Sequence, residues 1–152
     1  MSGISTVAAL YEAFGRGDVA TILGMLREDV DWEHDAHDYG LPTMQHRRGR
    51  ANVVGFFESL SVLDIRRFEV SNIMENAGQV VAVIHVEHVH KQTGKTFRDI
   101  ELHLWTLDAE GKVAGFRHSL DTHQLWLQAQ PNIMAYDDQP GRASLLDREP
   151  RH

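Results

Sequence analysis

A chain of 152 residues is long enough to bury a core without disulfide or metal staples, and its size suits one domain. It has no cysteine, which excludes disulfides, thiolate nucleophiles and cysteine-ligated zinc, and suits a reducing cytoplasm. Fifteen basic against twenty-two acidic side chains leave a formal charge of -7, and the basic residues are scattered apart from "HRRGR" at 46–50, so no nucleic-acid surface is expected.

The N-terminus, "MSGISTVAALYEAF", lacks the basic start and continuous apolar run of a signal peptide, and no apolar stretch approaches bilayer length. A soluble, cytoplasmic protein without membrane contact is expected. Ile4, Val7, Ala8, Tyr11 and Phe14 recur at the spacing of a helix that buries one face. "GRGD" ends that helix, with Gly17 to close it and Asp18 to cap a second helix whose buried stripe is Ile22, Met25 and Leu26. Alternating Val30, Trp32 and His34 predict a short strand, followed by a loop from about 36 to 49 in which Arg47, Arg48 and Arg50 read as a solvated lead into the next helix. That third helix carries Val53, Phe56, Phe57 and Leu60 on one face.

After Leu60 the pattern changes to four successive runs with alternation, separated by "ENAGQ", "KQTGK" and "DAEGK", which predict an antiparallel meander covered on one face by the three helices. Residues 128–152 hold three of the four prolines and no sustained period, and are expected to form an extended tail behind a domain at 1–127.

"HVEHVH" at 85–90 places three histidines and a glutamate within six positions. On a strand, His85 and Glu87 face one way and His88 and His90 the other, so at most two ligands converge and no metal site is expected there. "HDAHD" at 34–38 matches no specific metal spacing. In the third run, taking His103 as inward puts Asp99, Glu101, Trp105 and Leu107 on its face and leaves Ile100, Leu102 and Leu104 on the other. In the last run Phe116, His118 and Leu120 share a face.

The order of these elements, with "YEAFGRGD", "LREDVDWEH", "RRGRANVVGFFESL" and "LWTLDAEGKVAGFRHSLDTHQL", resembles the nuclear transport factor 2-like superfamily, and within it the SnoaL-like and ketosteroid-isomerase-like proteins. The resemblance implies an α+β cone in which a strongly curved, antiparallel or mixed sheet wraps the helices around a deep apolar pocket. It also implies a homodimer through the outer face of the sheet, for which Ile100, Leu102 and Leu104 supply an apolar second face. In steroid isomerases a first-helix tyrosine and a strand acid stabilise an enolate while a second acid shuttles the proton. Those three positions fall here on Leu10 (with Tyr11 adjacent), His103 and His34, so that constellation is absent as such. His118 stands where polyketide cyclases and epoxide hydrolases carry an essential aspartate. Arg98 and Asp99 are adjacent rather than two apart, a departure from the hydrolase pattern. Asp121 is expected to be structural.

The expected pocket therefore holds His34, His103, His118 and Glu101 as candidate catalytic groups, with Leu10, Tyr11, Phe14, Trp32, Trp105 and Phe116 as ligand-binding walls. A histidine beside a carboxylate in a dry pocket can shuttle a proton. Glu101 and His103 lie roughly 7 Å apart at Cα, a gap expected to need a water or a third group. The function expected is binding of a small, largely apolar organic molecule, with cofactor-free isomerase or cyclase chemistry. The alternatives are a non-catalytic ligand-binding or assembly module and, behind it, an epoxide hydrolase.

Overall fold

Ser2 starts the first helix as its cap, accepting a hydrogen bond from the Ser5 backbone N–H at 3.1 Å, and helix α1 runs Gly3–Gly15. The computed structural model describes residues 2–33 and 37–131. Val7, Leu10 and Ala13 are buried along α1, with Tyr11 and Phe14 packed beside them. Gly17 takes φ +70°, a left-handed turn that glycine adopts at no steric cost, and Asp18 accepts from Thr21 N at 3.1 Å to cap α2, Val19–Met25.

Leu26 is not in α2. It stands at ψ 146° and opens strand β1, Leu26–Glu33. The residue is fully buried there, as a helix stripe would also require, so its apolar spacing carried no sign that the backbone had changed. Of the basic run, Arg48 is exposed as expected, while Arg47 and Arg50 are half-buried. Arg47 and Arg48 form β2 and pair antiparallel with Trp32 and Asp31. The guanidinium of Arg47 donates to Pro42 O at 3.0 Å and that of Arg50 to Leu26 O at 2.6 Å. These donors satisfy carbonyls where the chain turns into α3, Arg50–Ser59, and that explains why the charges are drawn inward.

The meander follows as β3 (Leu63–Asn76), β4 (Gln79–His90), β5 (Thr96–Leu107) and β6 (Val113–Ser119), each pairing antiparallel with the next. Strand β1 joins β6 in parallel, which makes a mixed six-stranded sheet in the order β2-β1-β6-β5-β4-β3. Irregular register between Ile65 and Arg67 and between Val70 and Asn72 bends β3, as bulges do. The sheet curves around α1, α2 and α3 without closing into a barrel. Its inner face shows the alternation of one buried side: Val80, Ala82, Ile84, Val86, His88 and His90 are buried in turn. A fourth helix, α4 (Thr122–Ala129), is capped by Asp121 and packs on β5, with Leu125 and Gln128 turned inward. No helix among the described residues is long and apolar enough to cross a membrane. Residues 132–152, most of the expected tail, lie outside the described residues.

Candidate functional site

Five side chains from α1, β5 and β6 form one hydrogen-bonded chain at the concave face. The Trp105 indole N–H donates to Tyr11 Oη at 2.9 Å. Indole nitrogen can only donate, so the tyrosine oxygen accepts there and is left with its own proton to give; that proton goes to His103 Nδ1 at 2.8 Å. His103 then donates from Nε2 to Glu101 Oε2 at 3.1 Å, and His118 Nε2 donates to the same oxygen at 2.8 Å. The gap expected between Glu101 and His103 does not exist: both side chains lean along the strand and meet directly, with no third group between them. Strand register completes the cluster, since His103 lies opposite His118.

Electrostatics agree with these proton positions. Burial would raise the Glu101 carboxyl, but the charge of His118 and the hydrogen bonds from both histidines outweigh it and hold Glu101 well below the usual carboxylate range. Burial lowers His103 from 6.5 to about 4, against the pull of Glu101, so its ring is neutral at physiological pH. Burial raises the Tyr11 phenol, which therefore stays protonated.

The chain borders a cavity of about 100 Å³. Apolar cavities of comparable order admit a single ring. Leu10, Tyr11, Phe14, Trp32, Trp105 and Phe116 all line it, as do Glu101, His103 and His118. Trp32 stacks on Phe116 with ring centroids 4.2 Å apart, and Trp105 meets Phe116 at 4.5 Å. His34 lies outside the described residues. The sequence reading missed Phe56, Phe57 and Phe68 as cavity walls, although the α3 stripe was visible, and it missed His88, which parity had placed on an unassigned face.

The "HVEHVH" run is split between faces. His88 and His90 are buried, Glu87 pairs outside with Arg98 at 3.1 Å, and His90 Nδ1 lies 3.3 and 3.4 Å from the Gln92 and Thr93 backbone N–H groups of the following turn. Among the described residues, two groups bring three ligand atoms within 4.8 Å of one another: Glu101, His103 and His118 inside, and Asp31, Glu33 and His46 nearer the surface. An ion bound to His103 Nε2 would displace the proton now given to Glu101. It would also need Nδ1 to become the donor, so Tyr11 would have to turn its hydroxyl away.

A buried cluster of this kind is poor material for stability, because two imidazoles and a carboxylate are desolvated where apolar side chains would pack more favourably. Groups with perturbed ionisation cluster at functional sites and also in structural ion-pair networks.

The model of the SnoaL-like domain matches residues 7–116. Among solved structures, the chain is similar to an NTF2-like protein of Burkholderia thailandensis E264, with 25% identity, 86% of this chain and 99% of that one covered, and a TM-score of 0.76. It is similar to an NTF2-like protein of Burkholderia pseudomallei K96243, with 22% identity, coverage of 84% and 98%, and a TM-score of 0.75. It is also similar to TerC, co-crystallised with polyporic acid, with 23% identity, coverage of 83% and 96%, and a TM-score of 0.72. No curated protein matches the sequence significantly.

Proposed function

This chain belongs to the SnoaL-like domain family, and on that premise we propose that it binds a small, largely apolar organic molecule in the cone and moves a proton on it, as an isomerase or cyclase that needs no metal or cofactor. The observation that carries this reading is the pairing of His118 with a buried, ionised Glu101 at the wall of an aromatic cavity. With Nε2–H given to Glu101, the buried carboxylate stabilises the imidazolium that forms when His118 takes a proton from the bound molecule. His103 has both ring nitrogens engaged, by Tyr11 and Glu101, so we assign it a positioning role that holds Glu101 toward His118. TerC's co-crystallisation with polyporic acid supports an organic ligand for the shared fold.

A non-catalytic binding or assembly module is the competing reading. The narrowness of the cavity favours it, since ligand pockets more often run to several hundred Å³. The tryptophans test occupancy: emission from Trp32 and Trp105 should be quenched saturably by aryl ketones such as 4-methoxyacetophenone, and organic extraction of purified protein should release a small apolar molecule. Protein that retains nothing and shows no saturable quenching contradicts the ligand-binding reading in both forms.

The outer face of β5 supports a homodimer. Ile100 and Leu102 are 54% and 46% exposed there, an apolar surface that a second copy would cover. Leu102→Arg is expected to convert a dimer into a monomer or an insoluble chain, because the charge would be desolvated at the centre of the contact. Wild-type protein that sediments as a monomer at micromolar concentration would rule the dimer out.

A further inference from the structure

His88 does none of the work described above, yet it stands in the cavity wall at 5% exposure with its ring stacked on Phe97, centroids 4.7 Å apart and planes 7° from parallel. Its proton position is set by α4. The Gln128 side-chain nitrogen lies 3.1 Å from His88 O and 3.0 Å from Lys95 O. Both are carbonyl oxygens that can only accept, so the amide cannot be turned the other way round. The same nitrogen lies 3.1 Å from His88 Nδ1; its two protons are shared among three acceptors, and because an amide nitrogen does not itself accept, a proton on Nδ1 would point at a donor, which favours the Nε2–H tautomer of the neutral ring. Gln128 is itself 2% exposed and anchored, since its backbone carbonyl accepts from Thr93 Oγ1 at 2.6 Å and Lys95 Nζ caps the end of α4 at Leu127 O and Gln130 O.

The sealed side-chain polar atoms without a partner among the described residues are Trp32 Nε1, Arg47 Nε, Arg50 Nε and Gln128 Oε1. His88 Nε2 is not one of them, and it makes no hydrogen bond to the described residues, so the cavity is where its N–H opens. His88 pairs with Phe97, four residues along β5 from Glu101 and on the same face, which puts the two roughly 13 Å apart at Cα. The cavity wall is thus largely apolar and holds a second hydrogen-bonding group besides the Glu101–His118 pair.

We propose that His88 is a second ligand-binding residue, an N–H donor in the cavity wall that takes an oxygen acceptor of the bound molecule, so that the ligand is an apolar ring compound bearing a second oxygen function besides the one that meets the Glu101–His118 pair. The proposal rests on the ligand-binding reading above. Gln128 is its positioning residue. A donor held in an apolar wall without an acceptor is unfavourable, and a ligand oxygen removes that cost while the Glu101–His118 pair engages another part of the molecule.

Two measurements test it. Long-range proton–nitrogen spectra of the imidazoles at neutral pH should show His88 as the Nε2–H tautomer with no ligand present. Titration with 4-methoxyacetophenone and 4-ethylacetophenone, matched in size and differing by an ether oxygen for a methylene, should then show the methoxy compound bound about two- to tenfold more tightly by wild type. That preference should vanish in His88→Phe, which keeps the stack on Phe97, and partly survive in His88→Gln, which keeps a donor. An Nδ1–H tautomer, equal affinities in wild type, or a preference that persists in His88→Phe overturns the proposal while leaving the pocket reading intact. If His88→Phe does not fold, the tautomer and the wild-type preference still decide. If neither ketone saturates wild type, the pocket reading falls and this proposal with it.

Discussion

Glu101→Ala is expected to destabilise the protein by roughly 3–5 kcal/mol, the range measured when one partner of a buried charged cluster is removed. The carboxylate is 5% exposed and one of its oxygens accepts from both His103 and His118. Alanine leaves two buried N–H donors facing an empty space, each costing about 1–3 kcal/mol, and creates a cavity besides. Glu101→Gln should cost about half as much, since an amide oxygen can still accept from one imidazole while its NH₂ opposes the other. Urea denaturation gives both numbers, and two variants within 1 kcal/mol of wild type would show that the cluster is not held as described. The same cluster predicts acid sensitivity with a definite sign. Burial lowers His103 from 6.5 unfolded to about 4 folded, so between those values the unfolded chain binds the extra proton and stability falls as pH falls. At 1.36 kcal/mol per pH unit the loss across that window is about 3 kcal/mol. Glu101, whose folded carboxyl is depressed, adds to the loss in the same direction below the ordinary carboxylate range. His103→Gln should flatten the slope between pH 6.5 and 4.

His118→Gln is expected to keep the fold and lower turnover by about a hundred- to ten-thousand-fold on whichever substrate the cone accepts, the contribution of one positioned acid–base group. The side chain is 13% exposed where it meets the cavity, so glutamine can occupy the space and still donate to Glu101 at the present 2.8 Å contact. What it cannot do is take a proton. The loss should fall on kcat rather than KM, because a group that acts only as the proton moves contributes little to ground-state binding. His103→Gln should fall less in kcat and should shift the pH at which turnover is half-maximal, since it alters the group that holds Glu101. Full activity in His118→Gln would remove the histidine from the mechanism. Weakened ligand binding with no turnover even in wild type would favour the non-catalytic module.

Much of this site was visible in the sequence because alternation within a strand does not depend on what the strand pairs with. Glu101, His103 and Trp105 had to share a face once β5 was recognised, and so did Phe116 and His118. The register between strands was not visible. His103 faces His118 because the intervening turn closes with Asp108 N on Lys112 O at 2.8 Å and Gly111 at φ +80°, and because the pairing shifts at Thr106 and Leu107. None of that can be read from spacing, and the bridging of both histidines by one glutamate oxygen went unseen with it. Tyr11 was one helical residue from the expected tyrosine position, yet that rotation is what lets it reach His103 while Leu10 packs into the core. Leu26, Arg47 and Arg50 were misread for a simpler reason: a buried side chain or a carbonyl-bound guanidinium looks the same in sequence as one on a helix or in water. His88 was placed on the correct face but assigned no role, because its meaning depends on Gln128, forty residues away on a helix the periodicity did not extend to.

Whether a proton moves in the cone separates an enzyme from a non-catalytic binding module. Double-bond isomerisation through an enolate and aldol cyclisation both begin by removing a proton beside a carbonyl, so deuterium uptake from heavy water into the acetyl group of bound 4-methoxyacetophenone, followed by mass spectrometry, reads that step without knowledge of the natural product. Wild type at saturating ketone is predicted to exchange well above buffer and His118→Gln at buffer rate; a saturated pocket in which wild type exchanges no faster than buffer would contradict proton-transfer chemistry at this site.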